Sequence, residues 1–375
     1  MEFKIISKSY NFIKSFVSFV EINRLIRKSS KRIIFFYFPR RELTLKDIKY
    51  INNLFNDLKK KYLIIFGHKH FKIRLKNFYF LNEIFIKYLK NTDLFVSNYI
   101  CDLFPNNTKK IYIHHSLYDT PLTGKKNEKS TIQRLKKYDY IFLSSKKVVK
   151  SFKKIFKIND KNIRIISTGY PRLDYLDKLK VRNKKTILIA PANIHAYPEY
   201  SMINSINEIL KIIRKNTKHK VVFRPHPANR EYFLDKSRTS FKENILSEIP
   251  FLNDVIIDVS EDYSKTYKNS AFMITDLSST AFTYSFLTFN PVIFYSQNEN
   301  IFEKKYKRLN HFKDRKKVGE IASNIEDLNK YIKKFVKKTH NYRKSIKLLR
   351  NKIDYLGKSK SLITNIMDKI INDKY

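Results

Sequence analysis

The sequence is short of several things that would settle a function at once. It has one cysteine, Cys101, in 375 residues. A single thiol excludes an internal disulfide and any zinc site built from several cysteines, and fits a reducing compartment. It has five glycines, and neither a GxxxxGKS/T loop nor a GxGxxG turn occurs among them, so P-loop and ordinary dinucleotide fingerprints are excluded. HExxH is missing. So is any Asp-x-Asp pair, which removes the simplest metal–diphosphate clamp; no metal or other cofactor is expected. No apolar run reaches the roughly 18 residues of a transmembrane helix. The N-terminal apolar residues are interrupted by Lys8, Lys14, Glu21 and Arg24 with no small-x-small site after them, so no signal peptide and a cytoplasmic location are expected.

Acidic residues are also scarce. Thirty-four Asp and Glu face 77 Lys and Arg, a formal net charge of +43. An excess of that size calls for an anionic partner: nucleic acid, a phospholipid surface or a phosphorylated substrate. Part of it is compositional, since Lys, Ile, Asn, Phe and Tyr are all plentiful, as AT-rich coding would produce. No RNA-binding motif with interleaved aromatics is visible, so nucleic acid is not an expected partner. Ile6, Tyr10, Ile13, Phe16, Val17 and Val20 fall at helical spacing beside Lys4, Lys8, Lys14 and a basic stretch from Arg24 to Arg32. This helix either lies on an anionic membrane surface or packs on its own domain.

The remainder has enough apolar content for two cores, at 42% hydrophobic and 15% aromatic residues, and its length suits two domains. Short β-rich runs recur at 32–38, 62–67, 93–100, 110–115, 140–145 and 163–169, then at 186–192, 220–227, 254–258, 272–276 and 291–296. They are continuous rather than alternating, as strands buried on both faces are. Alternation with helical stretches predicts an α/β fold of two Rossmann-like, doubly wound domains, 1–178 and 179–375, with 174–185 as linker and basic C-terminal helices closing the second. No strand is expected after residue 300. Ligands in such sheets sit beyond the carboxyl ends of the strands, and the cleft between two such domains is the default site.

Four strand tails carry the chemistry. "IYIHHSLYDTPL" (111–122) presents His114 and His115, then Ser116, Asp119 and Thr120. Imidazole is the usual general base for a hydroxyl, and neighbours on a strand point to opposite sides, so one histidine can face substrate while the other packs behind. "STGYPRLDYL" (167–176) makes a turn with Gly169 and Pro171, followed by Arg172. "VVFRPHP" offers Arg224, a forked donor suited to phosphate, and His226, with Pro225 and Pro227 stiffening the loop. "FMITDLSSTAFTYSFL" (272–287) places Asp276, Ser278, Ser279 and Thr280 where a helix begins, a ready anion site.

Taken in order, five segments resemble the CDP-glycerol glycerophosphotransferase family, the teichoic-acid primases and polymerases. They are His114-His115 with Thr120-Pro121, Gly169-Tyr170-Pro171-Arg172, Ala190-Pro191-Ala192, Arg224-Pro225-His226-Pro227, and Thr275-Asp276-Leu277-Ser278-Ser279. The first departs from the family's His-Gly-Thr-Pro by an insertion, and "APANIH" lacks the family's Trp and Arg. The resemblance implies a GT-B fold and metal-independent transfer of glycerol phosphate, or a related polyol phosphate, from a CDP-linked donor to a hydroxyl of a cell-surface polymer or lipid-linked acceptor, with release of CMP. It implies His115 or His114 as base, with His115 preferred. Arg224, His226, Asp276, Ser278, Ser279, Thr280, Gly169 and Arg172 would hold the donor. The basic surface would keep the enzyme on the inner face of the cell membrane. The alternative on the same fold is a glycosyltransferase using a nucleotide sugar in capsule or lipopolysaccharide synthesis.

Overall fold

The computed structural model describes residues 2–39, 45–69, 76–119, 125–155, 163–177, 185–193, 201–229, 255–260 and 262–373. Thr120, Pro121, most of the expected linker and Ile194-His195 lie outside them. The chain divides into two compact units. The first comprises Met1–Ser116, Pro121–Asp174 and Asp354–Tyr375; the second comprises Leu117–Thr120 and Tyr175–Ile353.

The first unit holds a seven-stranded sheet of order β3-β2-β1-β4-β5-β6-β7. Its strands are β1 (Ile33–Phe38), β2 (Leu63–His68), β3 (Phe78–Phe80), β4 (Leu94–Ser97), β5 (Lys109–Ile113), β6 (Tyr140–Leu143) and β7 (Arg164–Ser167). Every pairing is parallel. Strand residues of opposite parity feed two cores. Ile34, Phe36 and Phe38 pack with α2 (Leu45–Phe55) and the C-terminal helix α14 (Ser359–Ile371); Ile33, Phe35 and Tyr37 pack with α1 (Glu2–Lys28) and α3 (Glu83–Ile86). Both faces are covered, which is why the runs read as continuously apolar. Between the later strands lie α4 (Lys125–Leu135), α5 (Lys146–Ile155) and α6 (Pro171–Asp177).

The second unit repeats the plan with a six-stranded sheet, β10-β9-β8-β11-β12-β13, also parallel throughout. The strands are β8 (Thr186–Ile189), β9 (Lys220–Phe223), β10 (Val255–Ile257), β11 (Ser270–Thr275), β12 (Val292–Tyr295) and β13 (Gly319–Ala322). One face buries α7 (Ile206–Asn216) and α12 (Ile325–Val336) through Ile209, Ile213, Leu328 and Ile332. The other described helices are α8 (Ser264–Asn269), α9 (Thr280–Thr288), α10 (Glu299–Tyr306), α11 (Asn310–Val318) and α13 (Tyr342–Arg350).

Three expectations are corrected. The last helix belongs to the first unit, because Ile363, Met367 and Ile370 of α14 bury against Ile34 and Phe36. Two carboxylates secure the return of the chain: Asp174 accepts from the Gly357 and Ser359 amides, and Asp354 from the Lys146 amide and the Ser167 hydroxyl. There is a strand after residue 300, β13. It is an edge strand that opens on glycine and carries Glu320, so it has no apolar run to announce it. β3, only three residues long, is the other edge that the pattern does not reveal.

Gly319 is fixed by close approach: a Cβ there would lie 1.7 Å from the Val292 carbonyl oxygen. Backbone cannot yield as a side-chain tip can. Gly319→Ala is expected to cost at least about 2 kcal/mol in urea unfolding; an unchanged midpoint would show that β13 does not pair as described.

Candidate active site

The first unit's candidate chemistry lies at the carboxyl end of β5. The ladder runs one residue past the strand, since the His114 amide donates to the Phe142 carbonyl at 3.0 Å. His114 is buried, its ring 5.2 Å from Phe152. His115 is half-buried and lies against Tyr99, with centroids 4.2 Å apart. The Tyr112 hydroxyl reaches Nδ1 of His114 at 3.0 Å and Nδ1 of His115 at 3.4 Å. Tyr170 donates its hydroxyl to the His115 carbonyl at 2.9 Å. Tyr99, Tyr112 and Tyr170 were not among the sequence candidates. Tyr112 had a signal: it stands two residues before His114, on the same face of a strand.

Asp119 is fully buried in the second unit, where its carboxylate accepts from the Asn310 and His311 amides at 2.8 and 3.3 Å. It caps α11, supplying negative charge at the positive end of the helix. Ser116 is buried.

Gly169 and Arg172 lie in the first unit, within the segment where the sequence places them. Gly169 has φ +81°, and a Cβ there would sit 2.2 Å from Ser359 Oγ and 2.6 Å from the Asp354 carbonyl. It is glycine so that the C-terminal segment can close over it. Arg172, in the first turn of α6, lies over the Tyr50 ring at 5.9 Å.

In the second sheet the strand order reverses between β8 and β11, the switch point at which such sheets bind ligands. Both tails are pinned there by one side chain. The buried Asp276 carboxylate accepts from the Ala192 amide at 2.7 Å and the Met202 amide at 3.3 Å, while the Thr275 hydroxyl donates to the Ala190 carbonyl at 2.6 Å. Asp276 thus shapes the loops around the switch point. Ser278, Ser279 and Thr280 follow, all partly exposed. Ser279 occupies the N-cap of α9 in helical conformation and makes no side-chain capping bond. Thr280 shares a hydrogen bond with the Tyr267 hydroxyl.

Arg224 follows β9 and is mostly engaged within its own unit. It donates to Asp258 Oδ2 at 2.6 Å, Ser260 Oγ at 3.3 Å and the Ser260 carbonyl at 2.7 Å. Three of a guanidinium's five N–H donors are used in this way. Burial alone would raise the Asp258 carboxyl; hydrogen bonds from Ser260 and Thr266 and the Arg224 charge outweigh it and hold it below its ordinary value. Arg224 is first of all the clasp of Asp258 and Ser260. Pro225 is buried and His226 half-buried, its carbonyl closing a turn with the Asn229 amide at 2.8 Å. Among the described residues no group of His, Cys, Asp and Glu could hold a metal ion.

The sequence profile of the CDP-Glycerol:Poly(glycerophosphate) glycerophosphotransferase family matches residues 18–370. The chain belongs to that family. Teichoic acid glycerol-phosphate primase of Bacillus subtilis (strain 168) is 28% identical over 199 residues, 49% of this chain and 47% of that protein. Minor teichoic acid biosynthesis protein GgaB of the same organism is 23% identical over 219 residues, 52% of this chain and 22% of that protein. The chain thus spans about half or less of the length of these two relatives. Among solved structures, wall teichoic acid polymerase TagF superposes with a TM-score of 0.65 at 20% identity over 98% of each chain. A glycosyltransferase from Rickettsia africae ESF-5 gives 0.51 at 14% identity over 92% of this chain and all of that one. These likenesses show the fold, two parallel sheets of GT-B type.

Burial pushes the Asp276 carboxyl up to about 6, against backbone N–H bonds that pull it down. A raised folded-state value stabilises the fold fully below the unfolded value of about 3.9, and the contribution is lost as pH rises through about 6. Wild type should therefore lose roughly 1.4 kcal/mol from this group between pH 5 and pH 8. The stability cost of Asp276→Asn should shrink by that amount over the same interval. Urea unfolding of both proteins at the two pH values checks it; a pH-independent difference would refute the assignment.

Proposed function

We propose that the protein transfers glycerol phosphate, or a closely related polyol phosphate, from a CDP-linked donor to a hydroxyl of a lipid-linked or polymeric cell-surface acceptor. The observation that carries this reading is the family match over 18–370, which contains every candidate residue at both strand edges. One TagF structure is described as holding CDPG.

In this reading the units divide the work. His115, the half-buried imidazole, takes the proton of the acceptor hydroxyl as its oxygen attacks the donor β-phosphorus. The bond from that phosphorus to the bridging oxygen breaks, and CMP leaves with the electron pair. In the second unit the α9 N-terminus with Ser278 and Ser279, and His226, neutralise the diphosphate. Arg224 keeps only two donors for phosphate, so its larger part is holding the loop beside it. No cofactor enters the scheme.

The reading also places the enzyme on an anionic membrane surface, through α1. That helix packs inward by Ile22, Asn23 and Ile26, with Ser15 Oγ accepting from the Asn82 amide at 2.7 Å. Its outer side shows Tyr10, Phe12, Ile13, Phe16, Val17 and Val20, each 48% to 62% exposed. Arg24 and Arg27 continue that same side and are exposed. An apolar stripe ending in cations suits acyl chains below and phosphate headgroups above, with roughly 1 kcal/mol per cation. No described helix is long and apolar enough to cross a membrane.

CMP release with CDP-glycerol and a glycerol-phosphate-terminated acceptor is the expected activity, and His115→Ala should lower it at least ~100-fold. Release of nucleotide from a nucleotide-sugar panel instead would establish the glycosyltransferase alternative. Separately, the protein should sediment with vesicles containing phosphatidylglycerol more than with phosphatidylcholine alone. Phe16→Glu with Val17→Glu should abolish that binding. Equal sedimentation of wild type and variant would remove α1 from the interface, and dimerisation lost in the variant would assign the stripe to a second copy.

A further inference from the structure

Hydroxyl-activating histidines are usually oriented by a carboxylate. The acidic residue nearest in sequence to His115, Asp119, is engaged as the cap of α11. A phenol reaches Nδ1 of His115. Tyr112 is buried on β5, and its hydroxyl stands between two imidazole nitrogens, 3.0 Å from His114 Nδ1 and 3.4 Å from His115 Nδ1.

A phenolic hydroxyl carries one proton. It can donate to one of these nitrogens, and the other must donate to it. The hydroxyl proton belongs with the nearer acceptor, His114 Nδ1. His115 then supplies its own Nδ1–H to the phenolic oxygen, and its lone pair is at Nε2. The reverse arrangement would put a hydrogen on His115 Nε2 and make that atom a donor.

We propose that Tyr112 is a positioning residue that holds His115 as its Nδ1–H tautomer, with buried His114 as the acceptor that orients the phenol. The proposal rests on His115 being the base. Nε2 then receives the acceptor's proton, and the imidazolium keeps its Nδ1–H bond to Tyr112 throughout.

The surroundings lock this relay. The Tyr112 ring lies 5.6 Å from Tyr138, whose hydroxyl is bonded to Ser97 Oγ and the Cys101 amide, both at 2.8 Å. His114 is held by its backbone bond to β6 and by Phe152. His115 is held by Tyr99 on one side and by Tyr170 at its carbonyl. A neutral orienter has a consequence that a carboxylate would not: it fixes the tautomer without setting a second negative charge beside a donor that is already a diphosphate.

The test uses the full-length protein with 15N-labelled histidine. Long-range 1H–15N spectra, assigned by the loss of signals in His115→Ala, should show His115 as the Nδ1–H tautomer in wild type and as a mixture in Tyr112→Phe. Tyr112→Phe should lower kcat about 10- to 100-fold and leave KM for CDP-glycerol within about threefold, since donor binding is untouched. His114→Asn keeps an acceptor near the Nδ1 position and His114→Leu does not. The Asn variant should retain the wild-type tautomer and at least about tenfold more activity than Leu. This pair carries the test should Tyr112→Phe fail to fold. An Nε2–H tautomer in wild type, or wild-type kcat in Tyr112→Phe, would overturn the proposal. Activity surviving in His115→Ala would overturn the base assignment, and Tyr112's role with it, even where the tautomer is as expected.

Discussion

Parallel strand pairing is the constraint from which the rest follows. Every strand in both sheets runs the same way as its neighbours, so all carboxyl ends collect along one edge of each sheet. Past that edge the backbone loses its ladder, and its polar groups need partners from elsewhere. Buried side chains supply them. Asp276 takes the amides of Ala192 and Met202, the Arg224–Asp258 pair gathers Ser260, and Tyr170 fastens the His115 carbonyl. Some polar residues at the edges are buried in that role, whereas His115, His226, Ser278 and Ser279 are half-exposed there.

The two edges differ in electrical character. At the first, Tyr112, Tyr99 and Phe152 lie against the histidines, and such rings and phenols orient without adding charge. At the second, carboxylates are present but turned to backbone amides or to Arg224, so their negative charge is compensated within the unit. A strongly basic protein offers no general shortage of positive charge for a diphosphate. What such a site needs is donors fixed in direction, and a helix N-terminus whose N-cap, Ser279, makes no side-chain capping bond provides direction that a surface lysine does not.

The strands were legible because burial on both faces leaves an unbroken apolar run. Where a strand is an edge, as with Phe78–Phe80 and Gly319–Ala322, half of that signal disappears. The C-terminal helix could be recognised as a helix but not assigned to a unit, since its isoleucines fit either core. Within the site, residue types at strand tails were readable and their partners were not. Asp276 stands in a phosphate-binding context in the sequence, yet its partners are main-chain amides, which have no sequence signature. Arg224 reads as a phosphate fork until Asp258, 34 residues on, is found beside it.

α1 shows why some alternatives posed by sequence are not exclusive. At about 100° per residue, Ser15, Phe19, Ile22 and Ile26 centre on one side of the helix. Tyr10, Ile13, Phe16, Val17 and Val20 centre roughly 155° away. Periodicity sums the two stripes into one weakly directed pattern, so the choice between a core helix and a surface-seeking one looks like a choice between readings of the same residues. The structure separates them in part: Ile22 and Ile26 are buried in the core, Phe12 and Phe16 are about half exposed while their rings still meet Phe85, and Tyr10, Ile13, Val17 and Val20 are exposed. An exposed apolar surface of this extent, with Arg24 and Arg27 at its end, is the kind that marks an interaction site, and the proposed membrane docking would use it.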